Sequence, residues 1–377
     1  MILKPQRDLF DLPPEVSYFN CAYLSPQLRA VTQAGHKAMA TKASPWTVTV
    51  EDFFDTSERV RQRFASLVGT GADNIALLPS VSYGIGTAAA NLPVKRGDRI
   101  VLLEEQFPSN VYPWRRLAAD VGAQIVAAPR GHGGWTESVL DALVPGVAVA
   151  ALPACHWTDG SSVGLEAISQ RCRQIGAALV LDLTQSLGAA PFDVAQVDPD
   201  FMVAASYKWL LGPYGSALMY VAPRHHDGRP LEEGWIVREQ SENFAGLVDY
   251  KDGYQPGARR YDVGQRSNFA LMPMVAAALE QLLDWGVNNI AQTLAATTSQ
   301  IEARVMELGF EVAGPRLGHM MGLRAPGGLP QDLSKTLQEQ GVYVSVRGDA
   351  IRVSPHLYTT PSDVDRLGSA LQSAMKR

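Results

Sequence analysis

The sequence predicts an α/β protein with a large, mostly parallel sheet, followed by a smaller α+β unit at the C-terminus. The first part of the chain alternates continuous apolar runs with helical segments, as parallel strands covered by helices on both faces do. Proline, glycine and charged residues then interrupt this pattern across residues 253–264. The chain has 377 residues and is 46% hydrophobic, which is enough for one large domain and a smaller one.

The alternation can be followed element by element. Residues 50–68 place apolar side chains at helical spacing, and glycines at 69 and 71 are expected to end that helix. Further helices are predicted from SYGIGTAAANL, NVYPWRRLAADVG and SSVGLEAISQRCRQIG. Short apolar runs between them predict strands, which are NIALLPS, RIVLLEEQF, QIVAAP, VAVAALPAC, ALVLDL, FMVAASY and SALMYVA.

The C-terminal part has a different pattern of predicted helices and strands. Two long helical segments, PMVAAALEQLLDWG and NNIAQTLAATTSQIEARVMELG, are followed by short strands, a short helix and the closing helix PSDVDRLGSALQSAM. We therefore predict an N-terminal segment at 1–15, a large domain at 16–254 and a small C-terminal domain at 255–377. The first segment is too short for a domain and is expected to pack near the active site or a partner.

Composition excludes several functional classes. A net charge of -5 does not suggest a nucleic-acid partner, and no apolar run is long enough to predict a membrane span or a signal core. The three cysteines, Cys21, Cys155 and Cys172, are widely spaced, so neither a disulfide framework nor a zinc site is indicated. The seven histidines lack metal-binding spacing, and His225–His226 are expected to be a solvated pair. A cytoplasmic location is the expectation.

Five residues fall at or just after the ends of predicted strands. They are Ser80, Phe107, His156, Asp182 and Lys208. Ligands of parallel sheets lie beyond the carboxyl ends of the strands, so we expect these side chains to meet in one crevice.

Lys208 and Asp182 are the most informative pair. Lys208 lies in DFMVAASYKWLLGPYG, after an apolar strand and before a glycine-containing turn, and Asp182 ends the apolar run ALVLD. A pyridoxal phosphate (PLP) enzyme needs a lysine for the Schiff base and a carboxylate for the pyridinium nitrogen. Partial burial would lower the pKa of the amine and make it a nucleophile. The alternatives are a solvated lysine and an aspartate that caps the next helix.

The other candidate residues can also be explained by structural roles that involve no ligand. Backbone N–H groups at the helix start in SVSYGIG, with the Ser82 hydroxyl, suit a phosphate, although a serine N-cap explains the motif almost equally well. Phe107 fits a ring stacked on a flat cofactor, or a core residue. Arg352, in the strand AIRVS, fits a carboxylate ligand, or an exposed strand arginine.

Taken together, these motifs resemble the aminotransferase class V family of fold type I PLP enzymes. That family includes cysteine desulfurases, selenocysteine lyases, kynureninases and isopenicillin N epimerase-like proteins. The resemblance covers nearly the whole chain, and it rests on YFNCAYLSP, SVSYG, EEQFPSNVYPW, LPACHWTDGSSVGLE, LDLTQSLGAAPFDV, DFMVAASYKWLLGPYG and IRVSPHLYTTPSDVDRL. It implies a seven-stranded, mostly parallel sheet in the large domain.

The resemblance also implies roles for individual residues. Lys208 would form the Schiff base and later shuttle a proton, and Asp182 would pair with the pyridinium nitrogen. Arg352 would bind the substrate α-carboxylate. The remaining cofactor contacts would be Gln185 at the phenolic oxygen, Phe107 on the ring, Trp157 beside it, and Ser82, Tyr83, Ser206 and Tyr207 at the phosphate.

The family resemblance implies a homodimer with its active site at the subunit interface. The segment DVGQR resembles a loop that reaches a partner's phosphate, which would place Gln265 across that interface. Four residues are expected to influence which reaction follows. They are His156, which has a proposed catalytic role, and the substrate-side candidates Tyr23, Trp157 and Arg347.

The reaction type stays open at this stage. Desulfurases carry a catalytic cysteine on a loop before the Arg352 strand, whereas GVYVSVRGDAIR has none, which disfavours persulfide chemistry. An aminotransferase or a C–S or C–C lyase acting on an amino acid is the leading hypothesis. The alternatives are an epimerase of the isopenicillin N epimerase-like type, a PLP-binding sensor without turnover, and an unrelated α/β protein with a structural Lys208.

Overall fold

A computed structural model describes residues 1–376. Three-residue to five-residue 3-10 turns occur between the main elements. The α-helices are α1 (Arg29–Ala43), α2 (Asp55–Val68), α3 (Val81–Asn91), α4 (Tyr112–Val121), α5 (Gly134–Ala142), α6 (Leu165–Ile175), α7 (Val194–Val197), α8 (Leu271–Trp285), α9 (Val287–Met306), α10 (Leu333–Glu339) and α11 (Pro361–Ala374).

The strands form one large sheet and two smaller ones. In chain order they are β1 (Ser17–Tyr18), β2 (Ile75–Leu78), β3 (Arg99–Leu103), β4 (Gln124–Ala128), β5 (Val147–Pro153), β6 (Ala178–Asp182), β7 (Phe201–Ala205), β8 (Ala217–Val221), β9 (Glu311–Val312), β10 (Met321–Arg324), β11 (Val342–Tyr343), β12 (Ser345–Arg347) and β13 (Ala350–Val353).

The large sheet has seven strands in the order β2-β8-β7-β6-β5-β3-β4. Strands β7, β6, β5, β3 and β4 pair in parallel, whereas β8 is antiparallel to both of its neighbours. Since β8 reverses direction on both sides, β2 runs the same way as β7. The carboxyl ends of six strands therefore lie at the same edge, and the predicted mostly parallel seven-stranded sheet is confirmed.

Helices cover both faces of this sheet. Strands β2, β7 and β8 are buried along their whole length, which explains their uninterrupted apolar sequences. One face packs under a cluster that contains Phe64 of α2 and Leu279 of α8. The other face packs under α3 and α4, through residues such as Ile85 and Trp114. The strand ends are thus held on a framework with two packed sides.

The smaller unit is built on the antiparallel sheet β12-β13-β10-β9. Its core includes Ile301 of α9 and Leu367 of α11. Near the N-terminus, β1 pairs in parallel with β11, and Phe19 is buried in the same core. The N-terminal part of the chain therefore contributes to the small unit beyond residue 16, where the large domain was predicted to begin.

The second predicted boundary, at residue 255, also differs from the observed packing. Helix α8 contributes Met272, Leu279 and Leu282 to the core beneath the large sheet. Helix α9 begins in that core with Ile290 and ends in the core of the small unit. The two cores are therefore divided within α9, because the apolar stripe of α8 fits the helices of the large sheet.

Residues 1–15 do not line the cavity of the large sheet; Phe10 belongs to the core beneath that sheet, and other residues of the segment reach α9 and α11. The N-terminal amine donates to Asn289 and Gln292 of α9, at 2.9 and 2.6 Å. The Arg7 guanidinium pairs at 3.0 Å with Asp363 in the first turn of α11. Among the described residues, no helix has the length and apolar character needed to cross a membrane.

Candidate active site

A cavity of about 180 Å³ lies at the carboxyl ends of the strands in the large sheet. All five residues predicted to converge there line it. They arrive after β2, β3, β5, β6 and β7 respectively, and they are Ser80, Phe107, His156, Asp182 and Lys208. The predicted crevice is confirmed, because the strands that precede these residues share one direction.

Lys208 is held in an aromatic environment. It follows β7 by three residues and is only 5% exposed. Its Nζ atom lies 5.2 Å from the centre of the Phe107 ring and 5.5 Å from that of Tyr207. Burial, followed by the positive charge of Arg352, lowers the pKa of the Lys208 amine to about 8. A substantial neutral fraction therefore exists at mildly alkaline pH, and a neutral amine is a nucleophile.

Asp182 is the last residue of β6, where it pairs in register with Pro153 of β5 and Val203 of β7. Its Oδ1 accepts a hydrogen bond of 3.0 Å from the Thr184 amide. Burial raises the pKa of this carboxyl group, and it outweighs the Thr184 bonds and the charge of Lys208. A carboxyl group in this position would be stabilised as an anion by a cationic N–H donor in the cavity, such as a pyridinium.

The start of α3 forms one wall of the cavity. Ser80 is the N-cap, and its Oγ accepts from the Tyr83 amide at 3.2 Å and lies 3.1 Å from the Ser82 hydroxyl. The Tyr83 amide, predicted to hold phosphate, is therefore already used in the cap. The first two amides of a helix have no partner within it, so those of Val81 and Ser82 are the donors that suit an anion.

Two aromatic rings form a second wall. Phe107 and Trp157 pack edge to face, with ring centroids 5.5 Å apart. The Trp157 Nε1–H group donates to the Glu105 carbonyl at 2.8 Å, which fixes the orientation of the indole. Both rings line the cavity, as predicted for a flat ligand held against an aromatic surface.

The predicted cofactor residues Gln185 and Ser206 have side chains that are engaged with the protein. The Gln185 amide donates to the Ala22 carbonyl at 3.1 Å and accepts from Trp209 Nε1 at 3.2 Å. The Ser206 hydroxyl contacts the Pro213 carbonyl and the Ser216 hydroxyl, each at 2.6 Å. Gln185 still lines the cavity, whereas these contacts assign Ser206 to holding the turn that follows Lys208.

That turn brings residues to the cavity that sequence reasoning missed. Tyr214 and Ser216 line it together with Tyr207, and Asn110 approaches from the α4 side. The rings of Tyr207 and Tyr214 are 4.6 Å apart. The glycine-containing sequence LLGPYG was the available signal, because a tight turn directly after Lys208 returns the chain to the same edge of the sheet.

His156 is positioned differently from a free acid or base. Its ring stacks on Trp135 with centroids 4.8 Å apart. Nδ1 lies 2.7 Å from the Thr158 hydroxyl and Nε2 lies 3.3 Å from the Glu104 carbonyl. Both ring nitrogens thus face protein atoms, and burial lowers the pKa of the imidazole. The contacts fit a neutral ring that shapes the cavity wall better than the predicted catalytic role.

The substrate-side candidates separate into two groups. Arg352 is 1% exposed and donates from Nη1 to the Trp157 carbonyl at 2.8 Å, and Arg347 lies with its guanidinium carbon 5.9 Å from the centre of the Trp157 ring. Tyr23 is 58% exposed and lies outside the residues that line the cavity. Neither arginine is among the residues that line the cavity, but both contact Trp157, which does line it.

Gln265 lies on the surface, away from the cavity lining. Its φ of 61° places it in the left-handed region. The segment is anchored on either side of it, because Asp262 pairs with Arg61 at 2.7 Å and also with Arg266. A contact between Gln265 and the cavity of its own subunit is thus absent from the described structure.

Cys155 lines the cavity, but burial raises the pKa of its thiol well above the ordinary range. The hairpin that precedes Arg352 carries no cysteine. Within residues 1–376, no group of His, Cys, Asp and Glu side chains could hold a metal ion.

Known proteins share both the sequence pattern and the fold. The model of the aminotransferase class-V family matches residues 25–367. The chain belongs to the aminotransferase class-V family. This membership confirms the predicted family and makes the chain a PLP-dependent enzyme of the transferase or lyase type.

Three similar proteins illustrate the range of this family. The uncharacterized aminotransferase YcbU of Bacillus subtilis is 25% identical over 370 residues, covering 90% of this chain and 94% of its own. The kynureninase of Geobacillus thermodenitrificans is 23% identical over 403 residues, covering 99% and 92%. A mutant of C-DES with glycine covalently linked to its PLP cofactor has a TM-score of 0.90 at 18% identity, covering 98% and 100%. The predicted fold class is confirmed by that likeness.

Proposed function

We propose that the cavity at the carboxyl edge of the large sheet binds PLP, with Lys208 as its covalent anchor, and that the enzyme transforms an amino acid there. The observation that carries this proposal is the arrangement of Lys208 and Asp182. Both are buried and both line one cavity. Asp182 ends β6, and Lys208 follows the neighbouring parallel strand β7. When bound, PLP acts as an electron sink for the α-carbon of an attached amino acid.

Lys208 would serve first as a nucleophile and then as a proton carrier. Its lowered pKa, about 8, lets the same amine give and accept a proton near physiological pH. Asp182 would pair with the pyridine nitrogen. That pairing supplies the buried carboxylate with a cationic partner and keeps the ring nitrogen protonated.

The start of α3, which lines the cavity, suits the phosphate. The amides of Val81 and Ser82 and the Ser82 hydroxyl point from the start of α3, where the helix dipole also favours an anion. Tyr207, which directly precedes Lys208, and Ser216, at the end of the turn that follows it, line the same cavity. In this arrangement Phe107 would stack on the ring, with Trp157 excluding water beside it.

Arg352 would bind the α-carboxylate of the substrate. It is buried, and within the described part of the chain its Nε atom has no hydrogen-bond partner. Burial and then the charge of Arg347 lower the pKa of the guanidinium to about 9. A carboxylate ligand would satisfy the free donors and compensate the buried charge, as arginine does in a forked pair.

We also propose that the enzyme is a homodimer whose interface completes the site. The segment that includes Trp235, Phe244 and Tyr250 exposes several large apolar side chains, and Trp46 is 81% exposed. Exposed apolar side chains that cluster on a surface are typical of protein interfaces, and the rings of Trp235 and Phe244 pack against each other with centroids 5.4 Å apart. Gln265 is exposed and lies between the buried residues Asp262 and Arg266. In the dimer it would face the cavity of the partner subunit.

The reaction we favour is transamination or C–S or C–C bond cleavage of an amino acid. The deciding experiment is a panel of amino acids added to the holoenzyme, with visible absorbance followed and with pyruvate, sulfide, alanine and keto acids measured as products. We expect at least one amino acid to change the absorbance and to yield one of these products. Racemised substrate without such products would instead identify an epimerase, and an absorbance change without turnover would identify a sensor.

Lys208→Ala provides the control for that panel. The variant should lose the absorbance of the covalently held cofactor and all turnover, because no other lysine was found to line the cavity in the described residues. An absorbance band that survives unchanged in Lys208→Ala would contradict the proposed anchor.

A further inference from the structure

Two arginines occupy the same face of the hairpin formed by β12 and β13. In the register of this hairpin, Ser345 is opposite Arg352 and Arg347 is opposite Ala350. Side chains two residues apart on a strand share a face, and so do directly opposed residues. Arg347 and Arg352 are therefore diagonal neighbours on one face of the sheet.

This face is turned toward Trp157, which lines the active-site cavity. Arg352 donates to the Trp157 carbonyl, and the Arg347 guanidinium lies near the Trp157 ring, as described above. The same indole packs edge to face with Phe107, with ring centroids 5.5 Å apart. The charges of both arginines also act on Lys208 and lower the pKa of its amine, after the larger effect of burial. Both arginines thus belong to the substrate side of the site.

The neighbouring carboxylates are already paired with other arginines. Asp159 accepts from Arg130 at 2.6 Å and lies 3.5 Å from Arg324. Asp349 pairs with Arg324 at 3.1 Å. Within residues 1–376, no carboxylate lies within salt-bridge distance of Arg347 or Arg352, and the Arg347 side chain donates only to the adjacent Val346 carbonyl. The substrate side therefore holds two cations without anionic partners.

From this charge imbalance we infer that the substrate is an amino acid with a second anionic group on its side chain. Arg352 binds the α-carboxylate and Arg347 binds the side-chain carboxylate or sulfinate. One anion would leave the second guanidinium beside a like charge, whereas a dianionic ligand pairs with both. The inference rests on the proposed function, because it assigns the substrate class of that same cavity.

The test compares charged and neutral amino acids of matched shape. The holoenzyme is titrated with aspartate, glutamate and cysteine sulfinate, and with asparagine, glutamine and alanine, while visible absorbance and heat of binding are recorded. At least one acidic amino acid should bind about tenfold or more tightly than its neutral counterpart, because a charge-assisted hydrogen bond is lost with the neutral one. Comparison of aspartate, glutamate and cysteine sulfinate identifies which acid and which chain length fit.

Variants separate a specific contact from a general charge effect. Arg347→Gln should reduce the preference for the acidic over the neutral amino acid to near unity, and Arg347→Lys should restore part of it. Arg304→Gln is the matched control, because it removes the same charge from α9, where Arg304 pairs with Glu307 just beyond the helix. The preference should persist in that control.

The outcomes distinguish this inference from the proposed function. A response to alanine without preference for any acidic amino acid would overturn the inference and leave the proposed function standing. The absence of a response to every amino acid would overturn both. An acidic preference that persists in a correctly folded Arg347→Gln enzyme would also overturn the assignment of Arg347.

Discussion

The amine of Lys208 lies 5.2 Å from the centre of the Phe107 ring. The lysine is thereby placed against an aromatic surface at the end of a buried strand, and the carboxylate of Asp182 lies on the neighbouring strand. A positively charged amine is poorly solvated in this position, which is why its pKa is lowered to about 8 from 10.5. The same burial that prepares the amine for chemistry therefore destabilises the cofactor-free protein.

Lys208→Met should stabilise the cofactor-free protein at neutral pH. The folded-state pKa of Lys208, about 8, lies below its unfolded value. Above pH 10.5 the amine is neutral in both states, and its burial costs no electrostatic free energy. As the pH falls from 10.5 to 8, the unfolded state binds a proton that the folded state does not, so the folded state loses stability, and the loss is complete once the pH has fallen through 8. At pH 7 the variant avoids this loss, which corresponds to about 3 kcal/mol of unfolding free energy. Urea unfolding of the apo-proteins at several pH values measures the difference.

The difference between Lys208→Met and wild type should shrink as the pH rises from 8 toward 10.5. Lys335→Met, at an exposed position in α10, serves as the control and should change stability little at any of these pH values. A gain in stability for Lys208→Met that is the same at pH 7 and at pH 10 would contradict the burial argument.

Asp182→Asn should lower kcat by at least about a hundredfold while the protein remains folded. Activity falls because the neutral amide cannot stabilise a protonated ring nitrogen. The protein stays folded because Asp182 lies at the end of β6 rather than in the middle of the core. Asp182→Glu, which keeps the charge, should retain more activity. Steady-state kinetics with the best amino acid of the panel decides, and an unchanged kcat in Asp182→Asn would exclude the pairing.

Arg352→Gln should raise KM for every amino acid substrate by about tenfold to a hundredfold, because the charge-assisted bonds to the α-carboxylate are lost. The free energy of unfolding of the apo-protein should not fall, since the buried guanidinium lacks a carboxylate partner in the described structure. Arg352→Lys should recover part of the loss. A KM equal to that of wild type in Arg352→Gln would show that another group binds the carboxylate.

Asp262→Asn should destabilise the fold by about 3–5 kcal/mol, because it leaves two buried arginines without their shared anion. Asp262 pairs with Arg61 and Arg266 and accepts a hydrogen bond of 2.7 Å from the Leu77 amide in β2. Asp120→Asn, which breaks an exposed pair with Arg116, should cost about 0–1 kcal/mol. Equal effects of the two substitutions in urea unfolding would contradict this account of the buried cluster.

Much of the site could be predicted from the sequence because strand direction does most of the positioning. Ser80, Phe107, His156, Asp182 and Lys208 follow apolar runs, and the shared direction of those strands is sufficient to bring them together. The antiparallel direction of β8 was not predictable in the same way. Its sequence is a continuous apolar run like the others, and a buried strand of either direction has that composition.

The hydrogen-bond partners of individual side chains were harder to predict. Gln185 lines the cavity and Ser206 does not, and their polar atoms are engaged by Trp209 and Ser216 respectively. Such pairings depend on distances between segments that are remote in sequence. The core that receives α8 was hard to predict for a related reason, because its apolar stripe does not reveal which of two cores it will join.

The most direct test of the account is reduction of the PLP-loaded enzyme with borohydride, followed by proteolysis and mass spectrometry. Reduction converts the covalent link between lysine and cofactor into a stable amine, so the modified peptide identifies the anchor. We predict a single cofactor-bearing peptide, with the modification on Lys208. Modification of another lysine, or no modified peptide from a protein that has bound PLP, would contradict the central claim.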